Sequence, residues 1–141
     1  MLSLDLSQVS DRIVDVIDLF AEVGWKPYNA RCCVEYLQVG DSDRFDWQEA
    51  PMTEVEIAAL TAEKQSRDEL VGLRLFFDDC EVGITFLAEQ SRRVSLSLDI
   101  NRKTLNGPES YTDIVWYYEN IVQKLREKCV IEHYEISEWI G

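Results

Sequence analysis

Residues 70–100, LVGLRLFFDDCEVGITFLAEQSRRVSLSLDI, decide the fold class of this chain. Apolar runs rich in β-branched and aromatic residues alternate here with short polar segments, which is the pattern of strands joined by turns. The strands are predicted at Leu70–Phe77, Gly83–Ala88 and Arg93–Ile100, with turns at Asp78–Val82 and Glu89–Arg92. Because both connections are short, we expect an antiparallel meander.

The third of these strands also predicts how the sheet is covered. Its apolar and polar residues alternate strictly, so one face of this strand is expected to be buried and the other to meet water. Helices should then pack on the buried face. The inward positions are Val94, Leu96, Leu98 and Ile100.

The segment before the meander predicts two helices and a strand. Apolar residues with helical spacing over 6–23 indicate an amphipathic helix, with Asp5 and Gln8 as a capping box and Gly24 and Pro27 after its end. A strand over Arg31–Val39 and a polar, acidic loop over Gly40–Pro51 follow. Thr53 and Glu56 form a second capping box, which opens a helix with an apolar side at Val55, Ala58, Ala59 and Ala62.

After the meander, the break at Asn106-Gly107-Pro108 precedes a third helix. Ser110 and Asp113 resemble a capping box, and a short strand over Val130–Ile136 ends the chain. The sequence therefore predicts one α+β domain over residues 1–141, an antiparallel sheet with helices on one face, in the order α-β-α-β-β-β-α-β. The apolar stripe of the third helix consists of Tyr111, Ile114, Tyr118, Ile121, Val122 and Leu125.

The charge of the chain narrows the possible partners. Its 141 residues carry 14 Lys and Arg against 27 Asp and Glu, a net charge of −13. This balance repels nucleic-acid backbones and anionic lipid headgroups, so we expect neither nucleic acid nor a membrane as partner.

No apolar run approaches the roughly 18 residues of a membrane span, and no leader pattern precedes the first helix, so a cytoplasmic location is expected. The four cysteines are expected to be reduced and mostly buried.

Patterns that would indicate catalysis or cofactor binding are missing from the sequence. The carboxylates of the 41–49 loop do not follow calcium-loop spacing, because Phe45 occupies the third ligand position. The one histidine, His133, is accompanied by no nucleophile motif and no glycine-rich phosphate loop. We therefore expect no enzyme activity, no cofactor and no metal.

The acidic residues concentrate in one stretch. Residues 41–81 contain 12 acids and four bases and so carry −8 of the total charge of −13. If the turn at 78–81 lies near the loop at 41–49, the two form one negative face with aromatic side chains, as expected of a surface that attracts and holds a basic protein. The alternative is that the acids only keep the protein soluble and that Trp47 fills the core. The candidate partner-binding residues are Asp41, Asp43, Phe45, Asp46, Trp47, Glu49, Asp78, Asp79, Glu81 and Trp116.

Trp116 is included because a helix projection places it opposite the apolar stripe, where its ring would be exposed. Packing under another part of the chain is the alternative.

The segment Tyr111–Glu119 (YTDIVWYYE), the size, the acidity and the aromatic residues of the acidic loop resemble a known class of proteins. They are similar to the small immunity proteins of bacterial contact-dependent inhibition and other polymorphic toxin systems. This resemblance implies a cytoplasmic protein, a monomer or weak homodimer, that binds one cognate toxin with a basic surface and occludes its active site.

Two other functions stay open at this point. The composition also resembles small acidic dimeric secretion chaperones, which bind an unfolded effector segment across a homodimer. An enzyme would require a deep pocket in which His133 and carboxylates converge.

Overall fold

The structure is a computed structural model that describes residues 2–6, 9–78, 81–89, 93–104, 112–128 and 133–136. Within these residues the strands are β1 (Leu2–Asp5), β2 (Trp25–Lys26), β3 (Val34–Tyr36), β4 (Gln48–Ala50), β5 (Val71–Phe77), β6 (Gly83–Ala88), β7 (Val94–Ile100) and β8 (His133–Ile136). They form one antiparallel sheet in the order β4-β3-β5-β6-β7-β1-β8, and β2 also pairs with β5. The predicted α+β class with an antiparallel sheet is confirmed.

The meander β5-β6-β7 forms as predicted, and its alternating pattern places the core. Leu73 pairs with Phe86, and Phe86 with Leu96, so these three buried side chains lie in one row across the sheet. Arg74, one residue further along β5, lies on the opposite face. The buried row continues through Leu2 of β1, which pairs with Leu96. One hydrophobic cluster then joins this face to the helices.

The first helix begins later than predicted. Helix α1 spans Ile13–Glu22, and the residues before it form β1 between β7 and β8. The prediction was wrong because Leu2, Leu4 and Leu6 have the two-residue period of a strand, while Leu6 also fits the helical stripe. Asp5 is a strand residue rather than a cap, and Gln8 lies outside the described residues. The side chain of Gln65 instead accepts the Ile13 N–H, at 2.8 Å.

Two short strands, β2 and β4, were not predicted, and β3 is shorter than expected. Two or three residues are too few to show a period, so pairing with a longer neighbour decides them. Trp25 in β2 is fully buried, and its indole N–H donates to the Asn120 carbonyl at 2.9 Å. This strand therefore ties the end of α1 to the C-terminal helical region.

Helix α2 spans Glu54–Ser66 and starts with the predicted Thr53–Glu56 capping box. Its buried side differs from the prediction, because Val55 is 78% exposed and the buried residues are Ile57, Thr61 and Lys64. Two of these three are polar. A search for an apolar stripe therefore selects the wrong side of this helix.

The C-terminal helical region consists of α3 (Ile114–Tyr117), a π-helical segment (Tyr118–Gln123) and α4 (Lys124–Lys128). Asp113 caps it by accepting the Trp116 N–H at 3.1 Å, whereas Ser110 and Tyr111 lie outside the described residues. Burial of Ile121, Val122 and Leu125 follows the prediction, but Tyr117 is buried in place of Ile114 and Tyr118. The wider π-helical turn shifts the buried stripe relative to the regular 3.6-residue period.

Cys32 and Cys33 are free thiols, but the prediction that the cysteines are mostly buried is wrong for this pair. Cys32 is exposed with φ of 58°, and Cys33 is half-buried, because both lie in a turn before β3 rather than in a strand. Cys80 and Cys129 lie outside the described residues.

A membrane-spanning helix is not found in the part of the chain that the structure describes, since none of its helices is both long and apolar enough.

Candidate functional site

The acidic loop, residues 41–49, lies between β3 and β4, includes the first two residues of β4 and is organised by Asp41. This carboxylate was predicted to face a partner, but it is only 3% exposed. It accepts the backbone N–H groups of Arg44, Phe45 and Asp46 at 3.0, 3.1 and 2.8 Å. A buried carboxylate needs such donors, so Asp41 holds the loop in shape rather than offering its charge to a partner.

Lys64 of α2 holds the start of the acidic loop through hydrogen bonds to backbone carbonyls. The sequence did not predict this role. The side chain is fully buried, and its ammonium donates to the carbonyl oxygens of Leu37, Gln38 and Asp41 at 3.2, 2.8 and 2.8 Å. Burial lowers the pKa of Lys64, although the nearby Glu69 and Asp41 oppose this. A signal was present, because position 64 lies seven residues after Ile57, on the same side of the helix.

The frame set by Asp41 and Lys64 presents residues 42–46, all of which are exposed. Phe45 has φ of 53° and is 46% exposed, and Asp43 and Asp46 beside it are exposed. A positive φ is strained for a bulky residue and persists only where surrounding contacts fix it. The N–H bond from Phe45 to Asp41 is one such contact.

Trp47 and Glu49 point into a polar network on the open face of the sheet. The Arg74 guanidinium lies 4.4 Å from the centre of the Trp47 ring and also bonds Glu35 at 2.8 Å. Glu49 pairs with Arg31, and this bond is the main reason why its pKa lies below the ordinary value. Both side chains are therefore already engaged within the molecule.

Asn29 joins the two acidic members of this network. It is buried, and its amide donates to Glu35 at 3.1 Å and to Glu49 at 2.7 Å. Asn29 therefore links β3 to β4 on the face of the sheet that the helices do not cover, in addition to the contacts of the acidic loop.

Asp78 and Glu81 do not lie beside the acidic loop, so the condition under which one shared negative face was predicted is not met. The Leu70 N–H donates to the Ser42 hydroxyl at 3.2 Å, so the loop contacts the start of β5. Asp78 and Glu81 follow the end of β5, which is seven residues long, a distance of roughly 20 Å at about 3.3 Å per residue. Both side chains are exposed, but they belong to a different surface. Asp79 lies outside the described residues.

Trp116 is half-buried and belongs to an aromatic cluster. Its ring lies edge-on to Trp25, Phe77 and Tyr117, with centroid distances of 6.2, 5.5 and 5.0 Å. The Lys103 ammonium lies 5.5 Å from the ring centre. This is the packing alternative considered from the sequence, and it leaves only part of the ring accessible.

The Asp41 carboxylate makes the stability of the protein depend on pH. Burial alone would raise its pKa, but the N–H groups of Asp46, Arg44 and Phe45 and the Lys64 charge outweigh burial, so the pKa lies below the ordinary 3.8. A depressed carboxyl pKa stabilises the fold fully above the unfolded-state value, and that stabilisation disappears as the pH falls through the folded-state value.

We therefore expect Asp41→Asn to be less stable than the natural protein at neutral pH, and the difference to shrink below about pH 4. Denaturant unfolding from about pH 6 to about pH 2 measures this. The control is Asp43→Asn, which removes an exposed carboxylate from the same loop. A stability difference for Asp41→Asn that stays constant over this range would contradict the assignment.

No group of three or more His, Cys, Asp or Glu residues that could hold a metal ion occurs among the residues covered by the structure. Comparison of the chain with protein-family models, with curated proteins and with solved structures finds no match. Its function is therefore inferred from its own residues.

Proposed function

We propose that this protein binds a basic protein partner and acts as an immunity protein, which neutralises a cognate bacterial toxin in the cytoplasm by covering its active site. The observation that carries the proposal is the conformation of the acidic loop. A half-exposed Phe45 is held at positive φ between two exposed carboxylates, Asp43 and Asp46. Strained residues of this kind concentrate at ligand-binding sites.

The frame beneath the loop supports binding because it removes a cost of association. Ordering a loop at an interface costs free energy, which a loop already held in its bound shape does not lose. Asp41 and Lys64 make three hydrogen bonds each within this region. Phe45 can then serve as an aromatic anchor with little loss of backbone entropy.

Electrostatics supports a basic partner. The net charge of −13 attracts a cationic protein from a distance, and Asp43 and Asp46 concentrate that attraction next to Phe45. Arg44 lies between them in sequence and is exposed, so the loop also offers one cationic side chain that can pair with a carboxylate of the partner. Attraction of this type mainly raises the association rate.

The proposal is tested with the product of the neighbouring gene, where the toxin of an immunity protein is expected. Expression of that product should arrest growth, and co-expression of this chain should restore it. The association rate of the purified pair should fall at least about tenfold between about 0.01 M and 0.15 M salt, because screening shortens the reach of the charges.

Two results would overturn the proposal. One is a growth arrest that this chain does not relieve although it is expressed and folded. The other is a stable homodimer that binds only an unfolded segment of the neighbouring product, which is the behaviour of a secretion chaperone.

A further inference from the structure

A cleft between α1 and α2 lies away from the acidic loop, at the opposite end of α2. Its cavity volume is about 140 Å³. Glu54, in the first turn of α2, lines it, whereas Lys64, near the last turn, supports the acidic loop. The walls are mostly apolar and come from both helices and from the segment after β2: Val14, Ile17, Ala21, Pro27, Tyr28, Ile57 and Ala58.

The rim of the cleft is acidic. Asp18 of α1 and Glu54 of α2 line it, with Lys26 as the one cation among its lining residues. Burial, then the charges of Asp15, Glu54 and Glu22, raise the pKa of Asp18, and Arg12 opposes them. Mutual repulsion of this kind is relieved by a cation placed between the carboxylates.

The volume of the cleft selects one side chain rather than a larger ligand. Clefts for drug-sized molecules measure about 300–1,000 Å³, whereas a cavity of about 150 Å³ accommodates a group the size of benzene. Apolar walls below a charged rim suit a side chain with an aliphatic stem and a cationic head.

We propose that this cleft receives one arginine side chain of a basic protein partner, with its stem along the apolar walls and its guanidinium between Asp18 and Glu54. The inference rests on the proposed binding function and adds a second contact to it. Arginine fits better than lysine, because its planar and weakly hydrated head stacks on rings such as that of Tyr28 and forms paired bonds to carboxylates. The two contacts affect different rates. The charges of the acidic loop mainly raise the association rate, whereas the cleft slows dissociation by holding one arginine of the partner.

The cleft is tested on the protein alone, with small probes in place of the partner. The probe is Nα-acetyl-arginine methylamide, and the matched control is its citrulline counterpart, which has the same shape without the charge. Methyl resonances of Val14, Ile17 and Ile57 should shift with the arginine probe and saturate. The citrulline probe should bind at least about tenfold more weakly, because a charge-assisted bond is lost.

Variants locate the binding. Asp18→Asn should weaken the arginine probe about tenfold, and Lys26→Met should strengthen binding because it removes a competing cation. Ala58→Met should fill the cleft and abolish the shifts, whereas Ala62→Met places the same side chain at an exposed position of the same helix and should not. Thermal unfolding of each variant verifies that it is folded.

Four results would overturn the proposal: no saturable shift with the arginine probe, equal binding of the citrulline probe, equal binding of Nα-acetyl-lysine methylamide, or unchanged affinity in folded Asp18→Asn. None of them depends on the acidic loop. If the arginine probe fails while this chain relieves the growth arrest, only the cleft is rejected. If the probe binds but the chain does not relieve the arrest, the proposed function is rejected, and the cleft is left as an arginine-binding site with no assigned partner.

Discussion

Lys64→Met is expected to lower the free energy of unfolding by about 3 kcal/mol. The substitution keeps a similar length but removes the donor that serves the carbonyl oxygens of Leu37, Gln38 and Asp41. A buried acceptor without a donor costs about 1–3 kcal/mol, and the loop can regain some of that loss only by opening to water. The Asp41 carboxylate also loses the buried charge of Lys64, which contributes to lowering its pKa.

The measurement is denaturant unfolding together with amide hydrogen exchange across residues 40–46. Exchange should accelerate most at Arg44, Phe45 and Asp46, whose N–H groups bond Asp41. The matched control is Arg67→Met, which removes an exposed cation that pairs with Glu63 at 3.2 Å near the end of the same helix. That change should cost no more than about 0.5 kcal/mol. Equal stability of the two variants would contradict the role assigned to Lys64.

The same lysine shows where sequence reasoning reaches its limit. Apolar patterning predicted the meander and the α+β class, because β5, β6 and β7 are long and their neighbours in sequence are also neighbours in space. The partners of Lys64 are backbone carbonyls of residues 37, 38 and 41, which have no sequence signature. The sequence shows that Lys64, a charged residue, lies on the same side of α2 as Ile57. It does not show which groups Lys64 bonds.

The exposed part of the candidate site could be predicted from the sequence, but the geometry of its backbone could not. Composition identifies an acidic loop with aromatic residues, and the structure leaves Asp43, Phe45 and Asp46 exposed on it. Composition does not indicate which carboxylate is buried, because that depends on where the folded loop brings several backbone N–H groups close together. Asp41 differs from Asp43 only in that geometry.

The sequence also could not predict the distance between the acidic loop and the acidic residues that follow β5. The acidic turn after β5 and the acidic loop are close in composition, yet the loop contacts the start of that strand and the turn follows its end. The pairing of β3 with β5 through Tyr36 and Leu73 sets this arrangement. Such long-range pairing is decided by the whole sheet rather than by either segment.

Reversing the exposed charges of the acidic loop is expected to have the largest effect on binding. The double variant Asp43→Lys/Asp46→Lys should associate with the basic partner about 10- to 100-fold more slowly at low salt, because a steering attraction becomes a repulsion next to Phe45. Dissociation should change less, since Phe45 and its frame are retained. The backbone N–H of Asp46 still bonds Asp41, so the loop keeps its shape.

The matched control has the same change of net charge at another surface. Glu119→Lys/Glu127→Lys alters two exposed acids of the C-terminal helical region by the same four units. If attraction depended only on net charge, both double variants would slow association equally. We expect the loop variant to be slower by at least about fivefold at low salt, because attraction between charges falls off with distance from the interface. Near 1 M salt, where the screening length is about 3 Å, the two rates should converge. Equal rates at low salt would remove the acidic loop from the interface and leave only the overall charge as a source of steering.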